Sequence, residues 1–219
     1  MNTGKPKCPG FLMVVSGPSG CGKSTLCQQL LLHRDLGFGL VVSHTSRSRR
    51  GSEKDGCEYI FLSQKQFEEN IAKDFYLEWA RVHGNYYGSP RIQVQELLDQ
   101  GRNVLLEIDV QGGLQVKNSI ADAVLVFVCP PNFKVLERRL RGRATDTDEV
   151  IEMRIRNAVS ELESIKTYDY LVLNDQLDQA VNTLRAIVVS EENKVSRLCI
   201  EDLYDTLCVP SFGDRKGLK

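Results

Sequence analysis

Eight residues near the start of the chain, Gly17-Pro18-Ser19-Gly20-Cys21-Gly22-Lys23-Ser24, have the types and the spacing to hold a polyphosphate. They fit G-x-x-x-x-G-K-[ST], and Thr25 follows directly. Glycines let successive backbone N–H groups turn inward and let oxygens approach closely. A lysine at that position sets a full charge beside the outer phosphates, and the Ser24 hydroxyl can ligate magnesium. Residues 11–15 ahead of the loop are apolar, and residues 25–33 behind it read as a helix. That context separates a phosphate loop from a chance glycine-rich turn, because the helix start aims its positive dipole end at the same anion. The loop therefore predicts a bound nucleoside triphosphate and leaves open where the γ-phosphate goes.

Three further clusters address that question. Arg47, Arg49 and Arg50 stand together before Gly51; they are either a solvated basic turn or a fork for a second phosphate, which guanidinium groups match bidentately. Glu78 lies between Leu77 and Trp79 in "YLEWARV". In a strand it would face opposite to both, and its carboxylate could accept from a base with paired donors, as guanine's N1–H and N2–H are. The alternative is an exposed strand glutamate beside a hairpin. Arg138, Arg139, Arg141, Arg143, Arg154 and Arg156 crowd into a helix–loop–helix. Some must cover a solvated face, but Arg139 and Arg143 share one face and can point at one anion. Phosphoryl transfer needs such charge, and a mobile arginine loop could close over both substrates and exclude water.

The elements that must carry these groups alternate. Strand-like runs cover 11–15, 39–43, 103–110, 123–129 and 170–174, with helices near 25–33, 133–141, 148–166 and 176–192. Continuous apolarity in the strands predicts a parallel sheet covered on both faces, an α/β fold. Residues 43–100 differ, with shorter strands at 58–62 and 76–82, a capping box of Ser63 with Gln66, and Ser89-Pro90 suited to the N-cap and first turn of a helix closed by Gly101. We expect a core of 11–42, 101–136 and 167–194, a small mixed α+β insert over 43–100, a helical lid over about 137–166, an N-terminal tail of 1–10 and a C-terminal extension of 195–219. In that extension Ile200, Leu203 and Leu207 could form one amphipathic turn.

The 219 residues carry a net charge of -1, which gives no general attraction to nucleic acid or to an acidic membrane. Seven irregularly spaced cysteines and three histidines argue against a disulfide framework and against zinc, and for reduced thiols in the cytoplasm. The apolar run at 11–15 is too short for a signal or a membrane span. The three histidines, His33, His44 and His83, read as surface or hydrogen-bonding residues.

Taken together, "SGPSGCGKST", "VVSHTSRSRRG", "DGCEYIF", "FYLEWARVHGNYYGS", "LLEIDVQG", "VCPP", "LERRLRGRATDT" and "YLVLNDQLDQA" resemble the guanylate kinase family in order and spacing, over about residues 11–194. The resemblance implies a P-loop NTPase-type parallel sheet with a GMP-binding insert and a lid. It implies transfer of the γ-phosphate from ATP to GMP, and to dGMP, with magnesium as cofactor. By motif position, Ser43 and Glu78 would contact guanine. Arg47, Arg50, Tyr59 and Tyr87 would hold the GMP phosphate, with Ser89 near and Glu107 reaching GMP or a magnesium-bound water. Lys23, Arg47, Arg139, Arg143 and Arg154 would serve the transfer, Asn174 would lie near adenine, and Asp109, read as the end of a strand, would reach magnesium through water. Tyr59 and Tyr87 could instead be half-buried strand aromatics, Ser89 a helix cap, and Asn174 the start of a turn. Because the phosphate of GMP is already a nucleophile, alignment and charge neutralisation suffice without a general base.

Three departures from the family stand out: Glu107 in place of Asp, Ala144 in place of a lid glycine, and Ser48-Arg49 in place of a residue–Pro pair. Cys21 sits near a helix N-terminus, a place that can lower a thiol pKa; it is either a point of oxidative control or simply a small residue tolerated at an unrestricted position of the loop. The rivals are a kinase for another nucleoside monophosphate and a catalytically silent phosphopeptide-binding scaffold of the same fold. The second is disfavoured because Lys23, Ser24 and the lid arginines are retained. A monomer or homodimer acting on ATP and GMP, without nucleic acid or membrane, is expected.

Overall fold

The computed structural model describes residues 9–82, 84–142 and 148–200. In chain order the elements are β1 (Leu12–Ser16), α1 (Lys23–Leu31), β2 (Phe38–Gly39), β3 (His44–Thr45), β4 (Ile60–Phe61), α2 (Gln64–Ala72), β5 (Tyr76–Val82), β6 (Asn85–Pro90), α3 (Arg91–Asp99), β7 (Asn103–Glu107), α4 (Val110–Ser119), β8 (Val124–Cys129), α5 (Phe133–Arg141), α6 (Asp148–Glu163), β9 (Tyr170–Leu173) and α7 (Leu177–Glu192). Five strands form a parallel sheet in the order β2-β7-β1-β8-β9. The other four form a smaller mixed sheet, β4-β3-β6-β5, in which β3 runs parallel to β4 and antiparallel to β6. Expectations for His83, Arg143, Ala144, Leu203 and Leu207 lie outside the described residues.

The period of two along β1 sends its side chains to opposite faces, and both faces are covered. Met13 and Val15 pack with Leu26 and Leu30 of α1 and with Leu184 and Val188 of α7. Leu12 and Val14 pack with Val94 and Leu98 of α3 and with Val116 of α4. Each fully buried leucine contributes roughly 1.5–3 kcal/mol by leaving water. This two-sided cover is why the strands read as unbroken apolar runs.

Local signals fix the helix ends. Ser63 and Gln66 form the expected capping box on α2, and Asn132 caps α5 by accepting from Val135 N–H. Gly101 turns the chain out of α3 at φ 73, an angle glycine adopts freely.

Four expectations are corrected. Residues 40–43 leave the sheet after the two-residue β2; Leu40 is largely exposed, and the chain pairs again only at His44. The strand at 103–110 stops at Glu107, and Asp109 does not end it. Asp109 instead caps α4, its carboxylate accepting from Gly112 N–H at 2.8 Å. Ser89 does not cap a helix: it lies in β6 opposite Glu78, and Pro90 takes the cap position of α3. Leu77 and Glu78 are both buried, because a register shift between Tyr76 and Glu78 breaks the simple alternation.

At the far edge, the fully buried Glu191 of α7 accepts from Tyr170 Oη at 2.5 Å and from Arg197 Nη2 at 3.1 Å, and pairs with Lys194 at 2.6 Å. Burial works to raise this carboxyl, but its bonds to Lys194, Tyr170 and Arg197 outweigh burial and hold it below its ordinary value. Among the described residues no helix is long and apolar enough to cross a membrane.

Candidate active site

The loop between β1 and α1 takes the shape its glycines allow. Gly17, Gly20 and Gly22 have φ of 143, 85 and 95. Gly17 also has no room for a side chain, since a Cβ there would meet the Val128 carbonyl oxygen at 2.2 Å. Gly22 stands at the N-cap of α1 with no side-chain cap, which leaves the first-turn N–H groups directed into the loop. Lys23 folds over the loop, its Nζ donating to the Gly17 and Pro18 carbonyls at 2.6 and 3.1 Å. Thr25 is exposed one residue beyond Ser24.

The loop is braced from behind. Asn174 Nδ2 donates to the Cys21 carbonyl at 2.8 Å, and Arg139 of α5 donates to the carbonyls of Cys21 and Asn174 at 3.4 and 3.3 Å. Two of the residues expected at the nucleotide thus touch the loop that would hold it. The Cys21 side chain is fully buried in the core, its sulfur 3.9 Å from Lys23 Nζ. Burial pushes its thiol pKa up, outweighing the nearby Lys23 charge, so the expected lowering by the helix end is overturned.

A cleft of about 550 Å³ runs from this loop to the smaller sheet. Gly17, Ser19 and Lys23 line it from the loop, Ser43, Tyr59, Glu78 and Tyr87 from the smaller sheet and the segments leading into it, and Glu107, Asp109 and Arg154 complete the lining. Glu78 is 4% exposed and so is not a solvated strand residue. It accepts from Ser89 Oγ at 2.7 Å, and Ser89 Oγ lies 3.5 Å from Ser43 Oγ. Burial raises the Glu78 carboxyl from its ordinary 4.5 to about 7, against the lowering effect of Ser89. Its other oxygen fits against α4, where a Cβ on Gly112 would meet Oε2 at 2.6 Å.

Arg47 is buried and held on three sides. Its guanidinium forks onto Glu53 with two bonds of 2.7 Å and stacks over Tyr59 and Phe61 at 5.2 and 5.7 Å. The hydrogen bond from Arg47 and a second from Arg50 N–H hold the Glu53 carboxyl down at about 2. Tyr59 packs edge-on against Tyr87 at 5.9 Å. The Arg50 side chain is exposed. Ser24 Oγ donates to Glu107 Oε1 at 2.5 Å, joining the start of α1 to the end of β7.

Sequence reasoning missed Glu161, which lines the cleft from α6. Burial raises its carboxyl, with Lys23 opposing. A signal was available: Arg154 and Glu161 are seven apart, two turns of one helix, so they share a face. Glu53 was missed too, because nothing in a basic turn marks which carboxylate an arginine will choose.

A phosphate loop at a strand-to-helix turn, a second polar recess facing it across one cleft, and arginines from two helices define a P-loop phosphotransferase that brings two phosphorylated substrates together. The guanylate kinase family model matches residues 10–191. A guanylate kinase of Fusobacterium nucleatum subsp. nucleatum is 49% identical over 82% of this chain and 96% of its own. One from Carboxydothermus hydrogenoformans is 47% identical over 86% and 92%. The crystal structure of guanylate kinase from Anaplasma phagocytophilum superposes with a TM-score of 0.75 at 27% identity, covering 92% of this chain and 97% of that one. The chain belongs to the guanylate kinase family, nucleoside monophosphate kinases that move phosphate from ATP to GMP.

Proposed function

We propose that the single cleft works as two facing subsites, the γ-phosphate passing between them as magnesium-ATP phosphorylates GMP or dGMP. The carrying observation is that a buried carboxylate, Glu78, and the phosphate-loop lysine, Lys23, line one cavity. In this reading residues 17–25 and Asn174 hold ATP. Ser43 and Glu78 read guanine with Ser89 behind them, and Arg47, Arg50, Tyr59 and Tyr87 hold the GMP phosphate. A GMP phosphate oxygen forms a bond to the γ-phosphorus as the bond to the β-bridging oxygen breaks, and ADP leaves with that electron pair. Lys23, Arg47, Arg139, Arg143 and Arg154 spread the developing charge.

The donors beside the loop, Ser24, Glu107 and Asp109, are hard oxygens, which suits magnesium. Those residues would hold the ion, which would supply neutralisation of the triphosphate's charge. We assign residues 43–100 to the acceptor-binding insert, 137–166 to the lid and the remainder of 11–194 to the core. The chain acts in the cytoplasm as a monomer or homodimer, without nucleic acid or membrane; a near-neutral charge and seven irregularly spaced cysteines support this.

The test is ADP release from magnesium-ATP with AMP, GMP, CMP, UMP or dTMP as acceptor. Turnover with GMP alone is expected. Turnover with another nucleotide would overturn the guanine subsite, and tight binding without any turnover would favour a scaffold.

A further inference from the structure

The strand that carries Glu78 is an edge strand. Its inner side pairs with β6, and its outer side faces α4 of the main body. An edge strand normally leaves backbone groups without partners. Here side chains take them. Gln115 of α4 meets Trp79 with both ends of its amide: Trp79 N–H donates to Oε1 at 3.0 Å, and Nε2 donates to the Trp79 carbonyl at 2.9 Å. Arg91 Nη2 donates to the Tyr76 carbonyl at 3.1 Å. The Gln115 amide therefore imitates one residue of a neighbouring strand and fastens the smaller sheet to the larger body at one point.

That point is the residue next to Glu78. On the same helix, three residues earlier, Gly112 lets the Glu78 carboxylate approach within a distance no Cβ would tolerate. The register shift between Tyr76 and Glu78 leaves Glu78 as the first residue of the regular pairing with β6, right beside the irregularity. From the β6 side Ser89 holds the carboxylate, and from the α4 side the two Gln115 bonds hold the adjacent peptide.

We propose that Gln115 is a positioning residue for acceptor selection: by clamping the Trp79 peptide to α4 it holds Glu78 at the angle needed to read the base. The inference rests on the reading of Glu78 as the base-recognition group. Gln115 touches neither substrate in this scheme, so its loss should weaken base selection and leave the ATP subsite alone.

The experiment compares Gln115→Met, which keeps the bulk and removes both bonds, Gln115→Glu, which keeps only the acceptor, and Glu78→Gln, with GMP and with inosine monophosphate, which lacks the N2 amine. Gln115→Met is expected to raise the KM for GMP about tenfold, with the KM for ATP within about twofold of wild type. The preference for GMP over inosine monophosphate should fall in parallel, and Gln115→Glu should lie between. Adding Gln115→Met to Glu78→Gln should cause little further loss, because both act through one group. An unchanged KM for GMP in Gln115→Met, or equal damage to both substrates, would overturn the clamp while leaving Glu78 in place. Intact base selection in Glu78→Gln would overturn the base-reading assignment, and the clamp's role with it. Should Gln115→Met fail to fold, Gln115→Glu carries the same comparison.

Discussion

Ser24 Oγ and Glu107 Oε1, 83 positions apart in sequence, meet at 2.5 Å. The bond links the hydroxyl proposed to ligate magnesium with the carboxylate at the end of the central strand's neighbour. Glu107 has one methylene more than the Asp expected from the family, and here that reach is used. Glu107→Asp should withdraw the carboxylate from Ser24 and lower kcat/KM for GMP by about three- to tenfold. Steady-state kinetics with GMP varied at saturating ATP would check it; unchanged kcat and KM would remove Glu107 from the site.

The raised Glu78 carboxyl gives a signed pH dependence. Its folded value, about 7, lies above the ordinary 4.5, so its contribution to stability is fully present below about pH 4.5 and is lost as pH rises through 7. Glu78→Gln should therefore gain stability relative to wild type between pH 5 and 8, read by urea denaturation at several pH values. Guanine binding wants the ionised carboxylate, so the GMP affinity of wild type should rise over the same window. Calorimetry near pH 6 in buffers of different ionisation enthalpy should detect proton release on GMP binding.

Gly22 is constrained twice. Its φ of 95 disfavours any side chain, and a Cβ would sit 2.3 Å from Asn174 Nδ2. Gly22→Ala should break the Asn174 brace and reduce magnesium-ATP turnover by about 100-fold or more, with circular dichroism unchanged. Near-normal ATP affinity by calorimetry would contradict the bracing role of Asn174.

Glu191 lies far from the cleft. Glu191→Gln should leave Arg197 and Lys194 facing a neutral amide and cost about 2–4 kcal/mol in denaturant unfolding, with kcat unaltered within about twofold. Because the folded carboxyl is lowered, its contribution is present above the ordinary carboxylate value and lost as pH falls through the folded one. The wild type and the variant should therefore converge in acid.

The legible parts of this protein are the ones written in consecutive residues. The phosphate loop, the capping box at Ser63 and the α5 helix announce themselves within ten positions, and β5 was readable end to end. The illegible parts depend on partners that only the folded chain brings together. Nothing near Arg47 singles out Glu53, and nothing near Gln115 points to the Trp79 peptide. The helix α4 is not legible because "EIDVQGGLQV" continues an apolar strand and carries two glycines, which disfavour a helix interior. Those glycines are there for closeness, Gly112 to Glu78 and Gly113 to Tyr168 Oη, where Cβ atoms would come within 2.6 and 2.7 Å. Ser89 stays open between a helix cap and a site residue in the sequence, because a hydroxyl before Pro suits the first role equally well until its cross-strand neighbour is known.

The strand order β2-β7-β1-β8-β9 places the earliest strand at the centre of the larger sheet. Both of its neighbours arrive late: Phe11 N–H bonds to Asn103 Oδ1, 92 positions downstream. At a synthesis rate of 5–20 residues per second, β1 waits roughly 5–20 s for its first partner. During that interval one of the most apolar segments of the chain has no sheet to join, and the nascent protein is most exposed to aggregation. Assembly of the central sheet is therefore timed by the emergence of β7 and β8, and the nucleotide loop takes its braced form only once Val128, which lies against Gly17, and Asn174, which holds the Cys21 carbonyl, have been made.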